Sequence, residues 1–150
     1  MFEPLLTTAQ DRGLGALAVP VGQVLTAPAN LAVLIVSGEI VRREPEVIRR
    51  FVTAHLRGQR DYYRAFVQNE GDKDEIIQVL TKYTPLKQPE MWHRVSMSRV
   101  DPNGTIHEAE LALQQDYFLR TGAQAQKVDL SELVDRSYID YALQRLGRMP

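Results

Sequence analysis

The sequence predicts a helix-rich α/β chain, with five or six helices covering a small sheet remnant of about two strands. Three observations carry that expectation. After Ser37, apolar residues recur at near-helical spacing almost to the end. Before it, Ala16 to Leu25 and Leu31 to Ser37 are rich in β-branched and other apolar residues, as strands are. The 150 residues, 44% of them hydrophobic, suffice for one ordinary domain with a real core.

In chain order, Leu5 to Arg12 reads as a short helix ended by Gly13, which can adopt the left-handed conformation after a helix. The first β-like run contains Leu17, Val19, Val21 and Val24 but is broken by Pro20 and Gly22. The second is continuously apolar from Leu31 to Val36, the pattern of a strand buried on both faces. Two strands joined by a short loop are poor material for a standalone sheet, so they read as part of a larger one. Pro45 then opens a long helix through Val47, Ile48, Phe51, Val52, Leu56, Tyr62, Tyr63, Phe66 and Val67, with Gly58 as the weak point where a bend is expected.

Asp72 with Glu75 forms a capping box for a helix whose apolar face is Ile76, Ile77, Leu80 and Tyr83. Thr84-Pro85 stops it, and Gln88-Pro89 starts a short helix carrying Met91, Trp92 and Val95. Asp101-Pro102-Asn103-Gly104 is a turn signal. Thr105 with Glu108 predicts another capping box, for a helix carrying Leu111, Leu113, Tyr117, Phe118 and Leu119 and closed by Gly122. The last helix is expected from Asp129 or Ser131 through Leu133, Val134, Tyr138, Ala142 and Leu146 to Gly147.

Charge and composition narrow the function. Eighteen basic and nineteen acidic residues leave a formal net charge of -1, with the two signs interleaved. A basic face for nucleic acid is not visible, so no nucleic-acid partner is expected. Cysteine is absent, which removes disulfides, thiolate metal sites and thiol nucleophiles together. The longest apolar run, Leu31 to Val36, is far short of the ~20 residues of a membrane helix. No basic region followed by an apolar stretch opens the chain, so, read as complete, it carries no signal peptide and defaults to a soluble compartment.

The chemistry-bearing residues do not assemble into a catalytic pattern. His55, His93 and His107 lie far apart, each in a predicted helix, without a second histidine at metal spacing. Gly13-Leu14-Gly15 lacks the third glycine and the preceding strand of a phosphate loop. Asp72/Asp74 and Glu108/Glu110 sit at helix starts, where carboxylates serve the helix dipole. Tyr62 and Tyr63 beside Arg60 and Arg64 are interrupted by Asp61 and read as packing aromatics rather than base-stacking ones. Trp92 reads as the anchor of its short helix. No cofactor, metal or enzymatic activity is expected.

Taken together, five stretches carry a resemblance. They are FEPLLTTAQDRGLG, LAVLIVSGEIV running into EPEVIRRFVTAHLRGQRDYY, KDEIIQVLTKYTPL, DPNGTIHEAELALQQDYFLRTG and KVDLSELVDRSYIDYALQRLG. In this order they resemble the C-terminal part of the nitrate/sulfonate/taurine/pyrimidine-precursor family of ABC-transporter substrate-binding proteins. The resemblance implies a partial type II periplasmic-binding-protein fold, with residues 1–30 as the remainder of a second lobe and the crossover, and residues 31–150 as the C-terminal part of the first lobe. It implies that Phe2-Glu3-Pro4 follows a strand at the cleft, so that much of a chain, signal peptide included, lies before Met1.

The function implied is binding of a small nitrogen- or sulfur-containing solute (nitrate, sulfonate, taurine or pyrimidine-type) for an ABC permease. The parent protein would be periplasmic or lipid-anchored outside the inner membrane. Glu3 is the first ligand-binding candidate, since the polar residue before this proline can face the cleft in the family; a carboxylate there suits a cationic or hydrogen-bond-donating ligand. Capping the helix behind Pro4 is the alternative role for Glu3. Asn30, at the return between lobes, is the second candidate, with a turn role as its alternative. Two other functions compete. One is a self-associating helical module, dimerising through an exposed strand edge at Leu31 to Val36. The other is a thiamine-pyrimidine biosynthetic enzyme of the same family fold, whose catalytic residues lie in regions this chain lacks.

Overall fold

A computed structural model describes residues 3–24, 30, 32–95 and 100–150. Backbone proximity divides the chain into two compact units. The first comprises Met1–Val24 and Arg57–Pro102, the second Leu25–Leu56 and Asn103–Pro150.

Both units are helical, and the expected sheet remnant is not formed: there is no strand among the described residues. Of the first β-like run, residues 15–20 have no regular structure and α2 (Val21–Val24) is a single helical turn. Of the second, residues 32–37 lack regular structure, while Leu25 and Leu31 lie outside the described residues. The physical reason is the one that makes lone strands unstable. A β-branched run favours extended backbone, but it becomes a strand only when another strand accepts its hydrogen bonds.

In the first unit, α1 (Leu5–Asp11) ends at Arg12, and Gly13 follows with φ 65°. The latter part of α4 (Pro45–Tyr63) continues into a π-helical turn, Arg64–Gln68, closed by Asn69 in the left-handed conformation. Gly58 lies within α4, which continues past it to Tyr63. Helix α5 (Lys73–Tyr83) starts as its sequence requires: the Asp72 carboxylate accepts from the N–H groups of Asp74 and Glu75. Helix α6 (Pro89–Arg94) has Pro89 in its first turn, where a missing N–H costs nothing. Ala65, Ile77 and Val95 are buried where the π-turn, α5 and α6 meet.

The second unit has the larger core. Ile48, Val52 and Leu56, four residues apart, form one stripe of α4 and pack with Ala142 of α9 (Ser137–Leu146). Val41 from α3 (Gly38–Arg43) and Tyr138, Ile139, Leu143 and Leu146 from α9 complete it. Each fully buried aliphatic side chain contributes roughly 1.5–3 kcal/mol by leaving water. Gly104 sits against this core with φ 64°; a Cβ there would lie 2.7 Å from Ile139 Cδ1. The remaining helices are α7 (Glu108–Arg120) and α8 (Leu130–Leu133). The single final helix expected from Asp129 onward is therefore two, interrupted at residues 134–136. Asp129 caps the first by accepting from Ser131 N–H, and Gly147 follows the second with φ 71°.

Candidate functional site

Each unit holds one of the two residues singled out for ligand binding. Glu3, in the first, is a local capping group: its Oε2 accepts from Thr7 N–H at 3.1 Å and from Thr7 Oγ1 at 2.9 Å. Thr7 is buried beneath it. The carboxylate thereby satisfies a donor that the first turn of α1 leaves without an intrahelical partner.

Asn30, in the second unit, makes a more elaborate set of bonds. Its Oδ1 accepts from His107 N–H at 3.0 Å while its Nδ2 donates to His107 O at 2.9 Å. The same Nδ2 and the Asn30 backbone N–H both donate to Glu110 Oε2, at 2.6 and 3.1 Å. Glu110 also accepts from Gln114. Partial burial pushes the Glu110 carboxyl up, but the bonds from Asn30 and Gln114 and the proximity of His107 outweigh it and hold the group below its ordinary value. The Thr105–Glu108 capping box does not carry the start of α7: His107 occupies the cap position with no side-chain cap. Asn30, 77 residues earlier, supplies the capping atoms instead.

The Asn30 arrangement recurs in the same unit. Asn103 Nδ2 donates to Met149 O at 2.9 Å, and Met149 N–H donates to Asn103 Oδ1 at 2.9 Å. Gln115 Nε2 donates to Val128 O at 3.1 Å, and Val128 N–H donates to Gln115 Oε1 at 2.8 Å. Each carboxamide pairs with both backbone groups of one distant residue, as a neighbouring strand would. Gln115 is the buried residue of α7, whereas Leu113, Tyr117 and Phe118, expected on its apolar face, are exposed. Sequence reasoning gave Asn103 only a turn role and did not single out Gln115.

Each unit also carries an open cleft. In the first unit, Phe66, Ile77, Trp92 and Val95 form an apolar floor with Lys73 and His93 at the edge, enclosing about 340 Å³. Both rim groups are engaged: Lys73 Nζ donates to Asn69 Oδ1, and His93 lies 3.7 Å from the Asp74 carboxylate. Trp92 Nε1 donates to Leu86 O at 3.2 Å, which ties α6 to the preceding loop. In the second unit, Asp140, Leu143, Gln144 and Arg148 border an open depression of about 350 Å³.

The histidines remain apart in role. His55 stacks on Phe51 at 6.2 Å, His93 faces Asp74, and His107 precedes α7 rather than lying within it. Among the described residues, no three His, Cys, Asp or Glu side chains are grouped to hold a metal ion. Arg60, beside Tyr62 and Tyr63 in sequence, is buried, and its Nε donates to Pro102 O. Tyr62 packs on Phe66 at 5.0 Å. No described helix is long and apolar enough to cross a membrane. Comparison with protein-family models, with curated proteins and with solved structures finds no match.

Proposed function

We propose that this chain supplies the C-terminal part of the solute-binding component of an ABC importer. The solute is a small nitrogen- or sulfur-containing compound: nitrate, a sulfonate, taurine or a pyrimidine-type molecule. One observation carries the reading: the ordered series of segments that resembles this family. Of these segments, EPEVIRRFVTAHLRGQRDYY contains α4, KDEIIQVLTKYTPL contains α5 and DPNGTIHEAELALQQDYFLRTG contains α7, while KVDLSELVDRSYIDYALQRLG spans both α8 and α9.

In this reading the chain catalyses nothing. It partners an ABC permease and works outside the inner membrane as part of a periplasmic or lipid-anchored protein. Glu3 and Asn30 reach ligand only by sharing atoms now bonded to Thr7 and to α7.

A growth experiment tests the reading. The gene is deleted, and nitrate, taurine, an alkanesulfonate and an aminopyrimidine are offered in turn at low concentration as the limiting nutrient. Growth should fail on one of them and persist on ammonium and sulfate. Equal growth of mutant and parent on every solute would overturn the proposal.

A further inference from the structure

We draw no further inference here: the strongest candidate, the first unit's cleft with its apolar floor of Phe66, Ile77, Trp92 and Val95, carries nothing, because its rim groups Lys73 and His93 are already engaged by Asn69 and Asp74 and nothing in the structure shows what would occupy it.

Discussion

Ile48, Val52 and Leu56 on one side, and Val33, Ile35 and Val36 on the other, belong to the same unit and have nearly the same chemistry. Their fates are opposite. The first set recurs every four residues, lies on one face of α4 and meets Ala142, so cover on that one face, from α9 and Val41 of α3, suffices to bury it. The second set is contiguous. Its side chains leave the backbone in alternating directions, so burying them requires cover on two sides and a neighbouring strand for the backbone. Hydrophobicity is equal in the two sets; periodicity decides which of them the chain can bury unaided.

Substitutions can break or sharpen that contrast. The largest effect should come from Leu56→Ala, which opens a cavity at the most buried leucine. A loss of about 2–5 kcal/mol is expected, read from urea unfolding. Next is Gly104→Ala, which combines a left-handed backbone with a Cβ pressed on Ile139. Overpacking of this kind costs about 1–3 kcal/mol, and a thermal melt should register it.

Asn30→Ala removes the groups that satisfy His107 and Glu110, and such orphaned partners cost about 1–3 kcal/mol. It also has a pH signature. With its folded value held low, Glu110 contributes stability that is present above the ordinary glutamate value and is lost as pH falls through the depressed one. Unfolding midpoints measured down through that acid window should fall less steeply in Asn30→Ala than in the parent. Asp72→Ala deletes the cap of α5 and should cost about 1 kcal/mol, visible as reduced helicity on mild heating. At the other extreme, Ile35→Ala should change the stability of dilute, unassociated protein by no more than about 0.5 kcal/mol. A large loss there would mean that residues 32–36 are packed after all.

The parts legible in the sequence are those governed by near neighbours. Asp72, Pro89 and Asp129 start helices, and Gly122 and Gly147 follow them, because capping acts over two or three residues. The apolar stripe of α4 was equally plain from its spacing.

What the sequence concealed depends on partners distant along the chain. The β-like runs have the composition of strands, yet strand formation is decided by an edge that local pattern does not contain. Thr105 and Glu108 have capping-box spacing, but Asn30 reaches the start of α7 first. Gln115 looks like a polar interruption of an apolar face until Val128 is brought beside it. Of the two ligand-binding candidates, Glu3 bonds a residue four positions away and so could be read as a cap. The partners of Asn30 lie 77 and 80 positions away and could not be read at all.

The pairing of Asn103 with Met149 bears on how the protein ages. Asn103 is followed by Gly104, whose missing side chain leaves the next peptide nitrogen unobstructed for attack on the asparagine carbonyl. Ring closure expels ammonia, and hydrolysis leaves aspartate or isoaspartate. Neither product carries an N–H to donate to Met149 O. While the carboxamide is held on both backbone groups of Met149, it is kept from swinging round for that reaction. Once the hold is lost to heat or mild alkali, the chemical change makes the loss permanent. The C-terminal residues then have one fastening fewer, and stored preparations should acquire a sub-population clipped more readily at that end.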